Sequence, residues 1–275
     1  MSYLAGLKTG TSPSGMRAVI YAVEKMGKTT LTSDAPGAII VPTEVGVESA
    51  SLLAQKGDMV VSWDQLMGIQ QELMQAGSAG HLVGKTIVYD SATAIERLIH
   101  NKIVGNENGT AGKKAPTMES AMGGYGAAYT YANQLFASFL QTLDYLAVTC
   151  RANVLFTAHA FASRAIDPMQ GEYDTWDILL HSPKNNKTYG KRELLTQWAD
   201  LVGFLHEPFY VNKDADTAIA SSAGKGIVLA VARTPQYVAG NRYGVVNPIP
   251  IPLKDGWNHL AHAIYQASGK DFYRR

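Results

Sequence analysis

Short, unbroken apolar runs alternate along the chain with longer stretches whose apolar positions return every three or four residues. Met16–Ala22 (MRAVIYA), Ala38–Val41 (AIIV), Lys85–Tyr89 (KTIVY, closing at Asp90) and Asn153–Thr157 (NVLFT) are runs of the first kind. None of them alternates apolar with polar, which predicts strands covered on both faces. Gly226–Ala232 (GIVLAVA) predicts one more. Helices are predicted over Lys28–Ser33, Val47–Ala54, Trp63–Ala76, Ala92–Ile103, Ala127–Thr149 and Asn258–Gln266, and Leu194–Leu205 reads as a helix running into a strand. Strands separated by helices define an α/β class with a mainly parallel central sheet flanked by helices.

Two stretches break the pattern. Gly105–Gly124 is rich in Gly, Asn and Lys and reads as a mobile loop, while Ser163–Lys191 carries Pro, Gly and Asn clusters around a strand-like Tyr173–His181 and reads as an insertion. Pro248, Pro250 and Pro252 are expected to block regular structure in the tail. No shift of composition divides the chain, so residues 1–275 are expected to form one domain, with residues 1–13 as a flexible leading segment.

Composition narrows the function. Of 275 residues, 46% are hydrophobic and 17% charged, below the usual ~25%, which argues against extended disorder. Twenty-four basic against 23 acidic residues leave a net charge of +1, which excludes an overall basic clamp for nucleic acid. The lone Cys150 excludes a disulfide framework and a multi-cysteine zinc site, and suits a reducing cytosol. No apolar run approaches the ~18 residues of a membrane span, and no secretion signal is expected at the N-terminus. The scattered histidines show no spacing suited to zinc.

The most specific motif follows the first strand: Ala22, Val23, Glu24, Lys25, Met26, Gly27, Lys28, Thr29, with Thr30 next. It fits the Walker A phosphate loop except that Ala22 stands at the first glycine position. In such a loop backbone N–H groups wrap phosphates, glycine allows close approach, the lysine reaches the β- and γ-phosphates and the hydroxyl can bind Mg²⁺. These residues are therefore the candidate ATP-binding set. Asp90, at the end of KTIVY, occupies the position of a Walker B aspartate and joins Thr29 as a candidate metal ligand, though a helix cap uses the same residue type. Glu44 follows the second strand and can align or deprotonate an attacking water. His159 follows the fourth and can hydrogen-bond a γ-phosphate, although a lone histidine is more often a satisfied core residue.

These residues stand within blocks whose order resembles the phage-type RecA-core ATP-binding proteins. The blocks are VIYAVEKMGKTTL, IIVPTEVG, TIVYDSATAIERL, GGYGAAYTYANQLF, VLFTAHA, DPMQGEYDTWDILLHSP, LLTQWADLVGFL and RTPQYVAGNRYGV, spanning about Met16 to Leu253. The resemblance implies a RecA-like P-loop NTPase fold, ATP and Mg²⁺ as ligands, and a homo-oligomeric ring or filament with sites between subunits. It implies ATP hydrolysis in DNA recombination or replication, in the cytoplasm of a phage-infected host. Single-stranded DNA and a recombination or single-strand-binding protein would be the partners. It matches Lys28 and Thr29 to the Walker A pair, Asp90 to Walker B, Glu44 to the water-activating glutamate and His159 to the sensor before a DNA-facing loop. Arg242, in AGNRYG, and Arg233 are the candidates to complete a neighbour's site. Ala22, Ala127 and Gly240 depart from the family pattern, the last two where it carries lysine.

Arg164, Lys184, Lys187 and Tyr189, with Lys191, Tyr173 and Trp176 nearby, are candidate contacts to single-stranded DNA, because cations neutralise phosphates and rings stack on bases. Asp167, Glu172, Asp174 and Asp177 in the same stretch oppose that reading, and a hairpin packed on the domain body is the plainer one. Lys113 and Lys114 are a second basic pair. Besides the ATPase, two other functions fit the motifs: a nucleotide-gated assembly module with little turnover, and a small-molecule P-loop kinase.

Overall fold

The computed structural model describes residues 14–45, 55–106, 117–169, 171–183, 189–212, 219–222 and 226–273. The predicted helix at Val47–Ala54 and the lysines Lys113, Lys114, Lys184 and Lys187 lie outside them.

The chain runs β1 (Arg17–Ala22), α1 (Lys28–Ser33), β2 (Ala38–Pro42), β3 (Gln55–Lys56), α2 (Trp63–Ser78), β4 (Thr86–Asp90), α3 (Ala92–Asn106), α4 (Ala127–Asp144), β5 (Asn153–Asp167) and β6 (Gly171–Ile178). It continues with α5 (Lys191–Trp198), β7 (Leu201–His206), β8 (Phe209–Asn212), β9 (Ile219–Ser222), β10 (Ile227–Ala230), β11 (Gly240–Asn241), β12 (Ile249–Ile251) and α6 (Gly256–Ser268). The main sheet has the order β12-β10-β7-β1-β5-β4-β2-β3. From β7 to β3 neighbours are parallel, whereas β10, β11 and β12 join antiparallel. The sheet is thus mixed, with a parallel heart.

Apolar residues fill both faces because successive side chains of a strand point to opposite sides. Val19 and Tyr21 of β1, Ile87 and Tyr89 of β4, and Val154 and Phe156 of β5 face α2, α3, α4 and α5. Ala18, Ile20, Val88 and Leu155 face the other way, onto Leu31 of α1 and Trp257, Leu260 and Ile264 of α6. This two-sided burial is why the strands show no polar alternation.

Three expectations are corrected. The fourth strand does not stop at Thr157: β5 runs on to Asp167 and pairs with β6 as a hairpin, from Ala160 opposite Ile178 to Asp167 opposite Gly171. The helix predicted to Thr149 is α-helical only to Asp144 and closes with a π-helical turn, Tyr145–Thr149. The proline-rich tail still forms a strand, with Pro250 opposite Val228. β12 lies at the sheet's edge, where a residue without an N–H is tolerated.

Candidate functional site

β1 and β5 lie side by side in register, so Ala22 sits opposite His159, and β2 pairs with β4 so that Pro42 sits opposite Asp90. The phosphate loop, Glu44, Asp90 and His159 therefore gather at one edge of the sheet, where its parallel strands end. Ala22 is the last residue of β1, fully buried and extended, so this position needs no glycine and its methyl group is accommodated in the core. Gly27 does need to be glycine: as the residue before α1 it has φ +87°. Lys25, at φ 60°, shares that left-handed geometry within the loop.

Lys28 is 8% exposed and folds back over the loop, its Nζ donating to the carbonyls of Ala22 (3.1 Å) and Val23 (3.0 Å). Burial pulls its pKa below the ordinary lysine value, against the opposing fields of Asp90, Glu44 and Glu24. Thr29 Oγ1 donates to Asp90 Oδ2 at 2.7 Å, and the other Asp90 oxygen accepts from Thr157 Oγ1. The carboxylate is thereby fixed beside the Thr29 hydroxyl. A hydroxyl and a carboxylate are the hard oxygen donors that Mg²⁺ takes alongside phosphates and water. Among the described residues no group of three or more His, Cys, Asp or Glu side chains is arranged to hold a metal ion.

Glu44 is clamped. Its Oε1 accepts from Ser91 Oγ and from Arg97 Nη2 (3.1 Å), and its Oε2 lies 3.0 Å from His159 Nε2. Burial pushes this carboxyl up, but the bonds from His159 and Ser91 and the charges of His159 and Arg97 outweigh it and hold the pKa at about 2. Thr43 braces the turn: its N–H donates to Asp90 O (2.7 Å), and its Oγ1 accepts from Ser91 N (2.8 Å). On the far side of His159, Nδ1 finds no hydrogen-bond partner, and Glu24 Oε1 stands 4.0 Å away. Beside the loop, Met26, Thr30, Asp34, Ile227, Ile251 and Leu253 line a small, largely apolar recess.

Other predicted residues lie apart from this cluster. Arg242 pairs with Asp200 (2.7 Å) and donates to Gln197 O (2.9 Å), close to where β7 begins, at the opposite edge of the sheet from the phosphate loop. Arg233 is exposed in the connection from β10 to β11. Arg164, on the β5–β6 hairpin, faces Glu172 (3.5 Å) and Asp174 (3.4 Å). Tyr189 is exposed beside α4, and its carbonyl accepts from Asn133 Nδ2 at 2.9 Å. Lys191 is no surface cation: it is fully buried, paired with Glu96 at 3.2 Å. Trp176 packs at 6.0 Å on Phe204 of β7, as the plainer hairpin reading expects.

Sequence reasoning missed Ser91, Arg97, Thr43 and Thr157. Ser91 and Thr43 adjoin residues already singled out, but Thr157 meets Asp90 only through the pairing of β4 with β5, and Arg97 reaches Glu44 from α3.

A phosphate loop between the first strand and first helix, with a hydroxyl–carboxylate pair beside it, defines a P-loop nucleoside triphosphatase domain. More narrowly, residues 14–243 match the profile of the AAA domain, and the chain belongs to that family. Membership supports nucleotide binding, with ATP binding and hydrolysis in general terms. No curated protein matches the chain. Among the described residues no helix is long and apolar enough to cross a membrane.

Proposed function

We propose that this chain hydrolyses ATP at the sheet edge formed by the phosphate loop, Asp90, Glu44 and His159. The observation that carries the reading is the Thr29–Asp90 contact of 2.7 Å beside a buried Lys28, with an ionised glutamate at the end of the neighbouring strand. The loop from Val23 to Lys28 would hold the phosphates. Thr29 and Asp90 would hold Mg²⁺, which when bound supplies positive charge against the phosphates. Glu44, with a pKa of about 2, is too weak a base to take a full proton at neutral pH. Its task is to accept a hydrogen bond from the water and orient it towards the γ-phosphorus. The water oxygen bonds to phosphorus as the bond to the ADP oxygen breaks, and the water's proton leaves on the phosphate product. His159 keeps Glu44 in place.

The RecA-like fold, a phage source and action in DNA recombination or replication in the host cytoplasm are part of this proposal and rest on the sequence resemblance. So do single-stranded DNA or a single-strand-binding protein as partner and a homo-oligomer as the working form, while one domain over residues 1–275 is proposed from the unbroken composition. One observation favours a second reading, a nucleotide-gated assembly module: both oxygens of Glu44 are already engaged, which suits low basal turnover.

The test is Mg²⁺-dependent ATP turnover with and without single-stranded DNA, for the natural chain and Glu44→Gln. The ATPase reading expects Glu44→Gln to bind ATP yet lose roughly 10- to 10²-fold in turnover, the range a misplaced reacting group costs. Equal turnover by both chains removes Glu44 from the chemistry. A natural chain that binds ATP but turns nothing over, even with DNA, overturns the ATPase reading and favours the assembly module.

A further inference from the structure

The holders of Glu44 come from α3, from β5 and from the junction between β4 and α3. Ser91 lies between β4 and α3, Arg97 is on α3, and His159 is on β5. An ionised carboxylate offers about four acceptor positions. Ser91 and Arg97 take both on Oε1, and His159 takes one on Oε2, so one position on Oε2 stays open.

Arg97 is the least expected of the three. Its side chain is 63% exposed, against 24% for Glu44, so the pair adds little to stability. Its placement, however, is well supported. Thr93, one helical turn earlier on the same face, accepts from His159 N (3.1 Å) and donates to Leu179 O (3.2 Å). These bonds tie the first turn of α3 to β5, which carries His159, and to the residue that follows β6. The Arg97 guanidinium thus approaches Glu44 from an anchored helix. Without it, Oε1 keeps only the Ser91 hydroxyl, and the carboxylate plane is held by one bond on each oxygen, from Ser91 and His159, instead of three in all. Reaction rates are sensitive to such a change, because misplacement by 1 Å can lower them by as much as 10²-fold.

We propose that Arg97 is a positioning residue for hydrolysis: together with Ser91 it fixes the plane of the Glu44 carboxylate so that the open position on Oε2 receives the attacking water. This rests on the reading of Glu44 as the residue that orients water. Arg97 itself touches neither the phosphates nor the water.

The experiment compares ATP turnover, under multiple- and single-turnover conditions, for the natural chain, Arg97→Ala, Arg97→Lys, Glu44→Gln and the double variant Arg97→Ala/Glu44→Gln. The expected result is a kcat about 10-fold lower in Arg97→Ala, with KM for ATP within about twofold of the natural value. Lysine keeps the charge but not the fork and should recover part of the loss. In the Glu44→Gln background, removal of Arg97 should have no further effect, because it acts only through the carboxylate. The same fold loss in both backgrounds would overturn the proposal, as would an effect confined to KM or an Arg97→Ala chain as fast as the natural one. Glu44→Gln turning over at the natural rate would instead bring down the reading of Glu44, and Arg97 with it.

Discussion

Replacing Lys28 by methionine separates what this residue does for the nucleotide from what it does for the fold. An ammonium has three N–H donors, and two of Lys28's are engaged by the carbonyls of Ala22 and Val23. One remains for a phosphate oxygen, and a charge-assisted hydrogen bond contributes about 1.5–3 kcal/mol. Lys28→Met should therefore weaken ATP binding by roughly 10- to 150-fold. The effect on the empty protein has opposing parts. Burial lowers the Lys28 pKa, so at neutral pH the charged lysine disfavours folding, and that penalty is relieved as pH rises through the folded pKa towards the ordinary 10.5. Methionine removes the penalty, but it leaves two loop carbonyls unpaired and Asp90, Glu44 and Glu24 without their nearby cation. These parts oppose one another, and the net change in stability should stay within about 1 kcal/mol. Calorimetric titration with a non-hydrolysable ATP analogue gives the affinity, and denaturant unfolding of the empty protein gives the stability. A folded variant that binds within threefold of the natural chain would refute the phosphate-loop assignment. A stability loss well beyond about 2 kcal/mol would show that the carbonyl contacts, not the phosphates, are the main task of Lys28.

Two further predictions concern charges away from the phosphate loop. Lys191→Met leaves Glu96 with the hydrogen bond from the His181 backbone N–H but without its cation, and should destabilise the fold by about 3 kcal/mol in denaturant unfolding, while adding Glu96→Gln should return most of that loss. Arg242→Ala should lower stability by no more than about 1 kcal/mol, because Asp200 keeps its bonds to Arg17. If Arg242 serves a neighbour, this variant binds ATP normally and hydrolyses it poorly, and mixing it with Lys28→Ala restores some turnover. A mixture no more active than its components excludes that role.

Legibility in the sequence followed the range of the interaction. The helix at Lys28–Ser33 was readable to the residue, because a glycine before it and a continuous apolar run before that are local signals. Strands β1, β2 and β4 were readable for the same reason. The Glu44 clamp was not, since it depends on β4 lying between β2 and β5, an order that no stretch of residues displays. The hairpin was obscured by its own composition. Beyond Phe161 the residues of β5 are small, charged or exposed, and only the pairing with β6 extends the strand to Asp167. Pro250 misled because a proline rule for strand interiors was applied to what proved to be an edge.

Strand polarity also decides what Arg242 can do. β1 begins at Arg17, which is bonded to Asp200 and Asp144, and ends at Ala22, where the phosphate loop starts. Five strand steps separate the two by about 17 Å. Arg242 shares Asp200 with Arg17, so it is anchored near the beginning of β1 while the proposed hydrolysis site lies at its end. Within one chain the sheet stands between them. For Arg242 to act in hydrolysis, the edge where β1 starts in one copy must face the edge where β1 ends in the next. That contact joins two different surfaces, and its repetition produces a ring or a filament. A two-fold dimer, which pairs a surface with itself, does not by that contact alone bring Arg242 to a phosphate loop. A natural chain that is a dimer of this kind and hydrolyses ATP at its full rate would therefore leave Arg242 with the role its contacts already show, as a partner of Asp200 at the start of β7.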